Sequence, residues 1–562
     1  MADRIDRRSF LAKGAATGAG IVALGAGGGL LEACGSGSSS PTTTGSGAGT
    51  GSHPNGVSSA TPKTGGKLIF GVEAEEKGFD PTTATYDTTG ILYARTVFDP
   101  LAIIAADGSV QPYLAQSITP NADYTVWTIT MRPGLMFHDN TPCDGAAVAY
   151  NFNAQKASPL TGPAVTNIAG IAVTDPLTVK VTMHTPWVPF NYYLAGGIGG
   201  QIAFIAAPSM LKDKNGTMNP VGTGPFVNGG WVPNDHFTAN KNPHYWRSGY
   251  PYLNTIQFKP IPDSDQLLNS LLSGSVDIIH TSASTVTKSL RSNSTLAYID
   301  DSTHVAGEPD MNCLLLNLSK PPFNNTLVRQ AAAMAVSSSQ YVQVIDSGVN
   351  LPANGPFVSG SPFFAPDGYP TANVTKAKQL VQQAQQATGG PIAFTVNHVP
   401  DPFTTKIAQY LQQQFQTVGM QVTLAPIQQA QIINVALLGS FQAQVWRQFG
   451  AVDPDLNYIF WSPTQINSAF SINMARNTDS AMETALQKGR QTADPTARAS
   501  AYQQVASLMG KDIPYIWTDR TVWAIGAQPK VQNFDNPSLP GGGKAFGMIT
   551  GAVWPTQIWV NA

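Results

Sequence analysis

Residues 392–427 constrain the fold class of this chain more than any other stretch. "IAFTVNH" (Ile392–His398) predicts a strand. In "TTKIAQYLQQQFQTV" (Thr404–Val418), Ile407, Leu411, Phe415 and Val418 fall on one helical face, and Gly419 follows as a C-terminal cap. "MQVTLAPI" (Met420–Ile427) predicts the next strand. Strand, helix and strand with short joints form a β-α-β unit, which requires a parallel sheet. "FQAQVWRQFG" (Phe441–Gly450) predicts a further strand running into a glycine turn. In open α/β sheets, ligands bind beyond the carboxyl ends of the strands. Those ends offer His398–Phe403 and Trp446–Asp455 as candidate pocket walls.

The first half of the chain has similar parts. "KLIFGVE" (Lys67–Glu73) predicts a strand, and "DYTVWTITMRPGLMF" (Asp123–Phe137) begins as a β segment that stops at Pro133-Gly134. "CDGAAVAYNFNAQK" (Cys143–Lys156) predicts a helix with Asp144 near its N-terminus, and "LTVKVTM" (Leu177–Met183) alternates as a half-exposed strand does.

Nothing of this kind precedes residue 66. Arg7 and Arg8 stand before Ser9-Phe10-Leu11, and no charge then occurs between Lys13 and Glu32. Basic, then apolar, then small residues are the order of an export signal, expected over residues 1–33. Its Gly- and Ala-rich apolar part is too weak for a lasting membrane span. The Arg-Arg pair resembles a twin-arginine signal; an ordinary secretory signal is the alternative. Leu31-Glu32-Ala33-Cys34 resembles a bacterial lipobox, with Glu32 where a small or apolar residue is usual. That resemblance implies a diacylglycerol on the Cys34 thiol. The tract after it, Gly35–Gly65, is rich in Gly, Ser, Thr and Pro and holds no aromatic residue. Such a composition cannot bury enough surface to order itself. Residues 34–65 are therefore expected to be an anchor and a tether, with a reach of roughly 30 Å by flexible-chain scaling.

Roughly 500 residues follow, too many for one core, so at least two lobes are expected. A hydrophobic share of 42% against 12% charged residues excludes a disordered chain. Of the 32 basic and 34 acidic residues, residues 1–33 hold four and three, leaving 28 and 31. With no basic surplus, a nucleic-acid partner is not expected. Cys143 and Cys313 are expected as buried free thiols. The sequence contains no His-Glu-x-x-His metal pair, no Gly-x-Ser-x-Gly elbow and no Gly-Lys-Ser/Thr phosphate loop. A binding role without metal or cofactor is favoured over chemistry.

The order of segments resembles the family 5 extracellular solute-binding proteins, the oligopeptide, dipeptide and nickel receptors of ABC importers. "WTITMRPGLMFHDNTPCDGAAVAY" (Trp127–Tyr150) is similar to the family signature, with Asn140 in place of a Gly and Ala147 in place of an acid. "VFDPLAIIAADGSVQPYLAQS" (Val97–Ser117), "NPVGTGPF" (Asn219–Phe226), "NPHYW" (Asn242–Trp246), "SGSVDI" (Ser273–Ile278), "NLSKPPFNNTLVRQA" (Asn317–Ala331) and "DIPYIW" (Asp512–Trp517) follow in the family's order. The resemblance implies an α/β, two-lobed fold of the periplasmic-binding-protein type, with hinge crossings and a cleft between the lobes. Lobe one would be residues 66–305 with a return segment 520–562, and lobe two residues 306–519. It implies a monomeric receptor at the cell envelope, on the outer face of the cytoplasmic membrane or in the periplasm, delivering an oligopeptide to an ABC permease and its ATPase.

The same resemblance marks candidate ligand residues. Asp453 in "VDPD" stands where dipeptide receptors hold the peptide amine, although Asp-Pro also favours a plain turn. Asp401-Pro402 stands where they carry an Arg-Pro that takes the peptide carboxylate. Arg447, in place of a Trp common in relatives, offers a cation that either holds an anionic group or pairs with Asp401 or Asp453. Trp446 and Phe449 are candidates for an apolar wall or for core. His398 and His280 both end predicted strands, which keeps a metal complex among the candidate ligands. A cationic or glycosylated solute is the other alternative to an oligopeptide. An envelope-anchored hydrolase and a sensory or chaperone-like protein on the same fold are the rival classes.

Overall fold

The computed structural model describes residues 60–197, 200–302, 307–366, 368–467 and 470–561. The signal, Cys34 and most of the tether lie outside the described residues. Of the tether, residues 60–64 are exposed and free of regular structure, and the first strand starts at Lys67.

The β-α-β unit is present. Strand Ala393–His398 runs parallel to Gln421–Pro426, from the pair Ala393↔Gln421 to His398↔Pro426. Helix Pro402–Thr417 joins them. It starts two residues before the sequence expectation, because Asp401 caps it: the Thr404 N–H donates to Asp401 Oδ1 at 2.8 Å, and Pro402 fits the first turn without an N–H to lose. Gly419 adopts φ +91°, the left-handed turn that ends the helix at little steric cost. Ile407, Leu411 and Phe415 are buried beneath it, and the Phe415 ring meets Phe394 of the sheet at 5.5 Å.

That unit belongs to a six-stranded sheet in the order Leu351–Pro352, Tyr515–Arg520, Met311–Leu316, Ala443–Gln448, Ala393–His398, Gln421–Pro426. One buried cluster (Leu314, Leu316, Phe394, Val396, Leu411) covers one face, and another (Met311, Cys313, Leu315, Tyr515, Trp517) covers the other.

The first half of the chain builds a seven-stranded sheet. Strand Lys67–Val72 lies parallel to Thr255–Pro260 on one side and to Ile278–Thr281 on the other. Ala524–Ala527 returns to pair antiparallel with Ile278–Thr281. The chain therefore crosses between the two sheets twice, once between Asp300 and Met311 and once between Arg520 and Ala524. Beside the first sheet stands a four-stranded antiparallel sheet, which shares its hydrophobic core. Its strands Val126–Met131 and Thr178–Met183 alternate buried and open residues, as the sequence predicts. Helix Gly145–Ala157 starts on Asp144, whose Oδ1 accepts the Ala147 N–H at 3.0 Å.

Cys143 and Cys313 are free thiols buried in different clusters, and burial raises both above the ordinary thiol range. The described residues all fall in one compact unit, so contacts between the two large sheets are contacts within it.

Candidate functional site

The carboxyl ends of parallel strands from both sheets meet. Glu73 follows strand Lys67–Val72, and Ser282 follows Ile278–Thr281. Arg447 and His398 stand at the carboxyl ends of neighbouring parallel strands in the second sheet. Arg447 reaches across: its Nη2 donates to Ser282 Oγ at 3.0 Å. Ser282 Oγ in turn donates to Glu73 Oε2 at 2.9 Å, and the Ser282 N–H and Thr281 hydroxyl also donate to Glu73. One guanidinium thus ties the second sheet to a carboxylate of the first through a single hydroxyl.

Behind Arg447 runs a polar row. Arg447, Asn312 and Asp519 occupy paired positions on three adjacent strands. Arg447 Nε donates to Asn312 Oδ1 at 3.4 Å, and Asn312 Nδ2 donates to Asp519 Oδ2 at 2.8 Å. Asn350 Nδ2 gives Asp519 Oδ2 a second bond at 2.7 Å, and Thr518 Oγ1 donates to Oδ1 at 2.9 Å. Burial pushes the Asp519 carboxyl up, against these donors and the Arg447 charge.

Trp523, in the second crossing, forms the floor. Its ring lies 5.4 Å from the Arg447 guanidinium carbon and 5.6 Å from the His280 ring, and its Nε1 donates to Asp310 Oδ2 at 2.9 Å. Asp310, in the first crossing, also accepts the Gly450 N–H. Both crossings are thereby tied to the loop after the Arg447 strand. Gly551 must be glycine in this packing: its φ is +80°, and a Cβ would stand 2.3 Å from the Trp523 ring.

The residues singled out in the sequence separate into groups. Arg447 pairs with neither Asp401 nor Asp453, and no carboxylate lies at ion-pair distance from it among the described residues. Asp401 is the helix cap described above. Asp453 is 3% exposed; its Oδ1 accepts the Arg498 guanidinium at 2.7 Å and the Asp455 N–H at 2.9 Å. The turn role is thus present, and the charge is matched inside the chain. Burial raises the Asp453 carboxyl, and Arg498 opposes the rise. Trp446 points away from Arg447, since neighbours along a strand face opposite sides, and packs against the Cys313 cluster. Phe449 is half-buried, 6.0 Å from the Phe460 ring. His398 is buried, with Nδ1 at 2.8 Å from the Val399 carbonyl.

His280 lies in the other sheet from His398. Its Nε2 accepts the Glu73 N–H at 3.1 Å, and burial lowers its basicity. Among the described residues, no three His, Cys, Asp or Glu side chains converge as metal ligands.

Sequence reasoning missed Glu73, Ser282, Asn312, Asp519 and Trp523. The strand-end rule that found Arg447 would also have found Glu73 and Ser282, had it been applied to the first sheet. Asp455, the last residue of the candidate wall Trp446–Asp455, is instead fully buried. Asp455 takes the Arg490 guanidinium at 2.9 Å and Trp187 Nε1 at 2.8 Å, joining the loop after Arg447 to the four-stranded-sheet side of the molecule.

Two sheets joined by two crossings, with strand ends facing one another and a polar row across the second, define a two-lobed binding protein. The chain belongs to the bacterial extracellular solute-binding proteins, family 5: the model of that family's middle region matches residues 109–468. It is 27% identical over 472 residues to the glutathione-binding protein GsiB of Salmonella paratyphi A (strain ATCC 9150 / SARB42), covering 80% of this chain and 88% of the relative. GsiB of Pectobacterium atrosepticum is 26% identical over 477 residues, covering 81% and 89%. Among solved structures, the periplasmic binding protein DppA from Helicobacter pylori in complex with the peptide STSA superposes with a TM-score of 0.77. It is 21% identical, over 89% of this chain and 99% of that one. AgaA of A. tumefaciens R10 in complex with agropinic acid also gives 0.77, at 22% identity over 88% and 99%. No described helix is long and apolar enough to cross a membrane.

Proposed function

We propose that the chain is the substrate-binding receptor of an ABC importer, capturing an oligopeptide or peptide-like solute between its lobes and passing it to a permease. The family supports the receptor role. Relatives and structural neighbours described as binding glutathione or peptides support the ligand class. The observation that carries the reading is the Arg447–Ser282–Glu73 chain of hydrogen bonds, which joins strand ends of opposite sheets where a ligand can touch both. A ligand that contacts both lobes binds the closed form more tightly and so draws the lobes together. The lobes are taken as residues 66–305 with 520–562, and 306–519.

Anchoring through a lipid on Cys34, after export by the signal in residues 1–33, completes the reading. Hydrolysis is disfavoured: Ser282 bonds to Arg447 and Glu73, and no His bonds to it among the described residues. The test is mass spectrometry of small molecules released by denaturing protein purified from its native host. A bound peptide or peptide-like solute of unaltered mass is expected. A sugar or a metal chelate would remove peptides from the reading, and steady turnover of the ligand would replace the receptor with an enzyme.

A further inference from the structure

Away from the crossings, a further contact joins the two halves of the chain, and it is both charged and buried. Asp455, in the loop after the Arg447 strand, pairs with Arg490, near the end of helix Ser480–Gln491. Arg490 Nε donates to Asp455 Oδ1 at 2.9 Å and to Oδ2 at 3.2 Å. Both residues belong to the half that carries the six-stranded sheet. Trp187 and Tyr193 come from the other half, after strand Thr178–Met183 of the four-stranded sheet. Trp187 Nε1 donates to Asp455 Oδ2 at 2.8 Å, and the Tyr193 hydroxyl donates to the Asp455 carbonyl at 2.6 Å. Arg490 Nη2 donates back to the Tyr193 hydroxyl at 3.3 Å, and its guanidinium lies 4.8 Å from the Trp187 ring. One backbone bond also crosses: the Val188 N–H donates to the Arg490 carbonyl at 3.0 Å.

Each side of this contact has its own support. In the second half, Asp455 has Arg490, and the Arg490 guanidinium rests on the Tyr458 ring at 3.7 Å. In the first half, the Trp187 N–H donates to the Tyr124 carbonyl, and the Trp187 carbonyl accepts the Trp127 indole N–H at 3.1 Å. The Trp187 ring also packs on Phe190 at 5.0 Å. Breaking a buried ion pair is costly because one charge is left alone. Parting these two sides leaves Asp455 and Arg490 paired, so the cost is confined to the donors and the aromatic face that dock on them.

The contact also has a specific place. The loop that carries Asp455 walls the candidate cleft, and its buried Ala451 and Leu456 join the hydrophobic core of the first half. The side of the molecule bearing the four-stranded sheet thus grips the loop that follows Arg447.

Resting on the two-lobed receptor reading above, we propose that Trp187 and Tyr193 dock on the Asp455–Arg490 pair as a latch that holds the lobes closed and parts when they open. The latch stabilises the closed state whatever solute occupies the cleft. It therefore sets the balance between open and closed forms on which a solute acts. A solute that contacts both lobes binds the closed form more tightly, so its apparent affinity follows the closed fraction. Residues that touch no solute then tune affinity for every solute alike.

The test is amide hydrogen exchange, read at single residues by mass spectrometry, on the exported full-length protein freed of solute by unfolding, dialysis and refolding. Val188 reports the latch, because its N–H is bonded across the contact. Met131 and Leu316 report the two halves themselves, since their N–H groups donate to the Leu177 and Pro514 carbonyls. In wild type, Val188 should exchange faster than both, through an opening short of unfolding. Tyr193→Phe keeps the ring and removes the hydroxyl, so it should fold. Its Val188 should exchange roughly threefold to tenfold faster than in wild type, the worth of one hydrogen bond, with Met131 and Leu316 unchanged. Small-angle scattering of the Trp187→Phe/Tyr193→Phe double variant should give a larger radius of gyration than wild type. Val188 exchanging as slowly as Met131 and Leu316, no response to Tyr193→Phe, or an unchanged radius in the double variant overturns the latch. Equal acceleration of all three amides in Tyr193→Phe makes the contact part of the fold and overturns it too. No solute enters the test, so each of these failures leaves the peptide-receptor reading to its own experiment.

Discussion

Arg447 and Asp453 illustrate how a residue's worth depends on what it is bonded to. Arg447 faces the junction, and among the described residues its side chain bonds to Ser282 and Asn312 and rests on Trp523. Replacing it with Ala should weaken peptide binding by about 1–3 kcal/mol, the cost of removing a charged partner, and leave the melting temperature nearly unchanged. Calorimetry beside a melting curve checks this; unchanged affinity with a large fall in melting temperature would make Arg447 structural. Asp453 is the opposite case. Its partner Arg498 has only 15% of its side chain exposed, so Asp453→Ala leaves a buried cation unmatched and should cost about 3–5 kcal/mol of stability. In denaturant melts, the Arg498→Ala/Asp453→Ala double variant should lose less than the sum of the single losses. A stable Asp453→Ala protein with lost binding would return Asp453 to the ligand. The sequence placed Arg447 correctly at a strand end because local periodicity marks where a strand stops. Its partner Ser282 lies 165 residues away, and no local pattern reports such a distance.

At the scale of elements, the β-α-β unit was legible because each part carries its own signal: alternation, a helical apolar face, and a glycine stop. The start of its helix was also open to reading, since Asp401-Pro402 is a cap followed by a first-turn proline. The resemblance to peptide receptors drew Asp401 toward a ligand role, yet its carboxylate accepts the Thr404 N–H. Asp401→Ala should therefore lower stability by about 1 kcal/mol, while Asp401→Asn, an equally good cap, should change it little. Urea midpoints for the two variants decide the point; equal losses from both would show that the cap is not what Asp401 contributes. What the sequence does not reveal is cross-strand register. An irregularity between Asn312 and Cys313 pairs Asn312 with Asp519, and Asp519 thereby joins the Arg447 row. Such a shift depends on three strands far apart in the chain.

For the molecule as a whole, the order of family motifs was sufficient to anticipate two sheets and two crossings. The motifs lie largely in turns and core, so they reported the fold and said little about the cleft. The junction proposed as the binding site uses residues such as Glu73, Ser282 and Trp523, which stand outside those motifs. The proposed location rests on the export signal expected over residues 1–33 and on the expected lipid at Cys34. Cys34→Ala should abolish acyl labelling and move the protein out of the membrane fraction; unchanged labelling and retention would remove the anchor. The central claim is that strand ends of the two lobes close over a solute and release it unaltered. Small-angle scattering of the purified protein, with and without the ligand recovered from it, tests that claim most directly. A smaller radius of gyration at saturation, with the ligand recovered at its original mass, is the predicted result. A ligand bound at saturation with no change in radius, or recovered as a product, would contradict it.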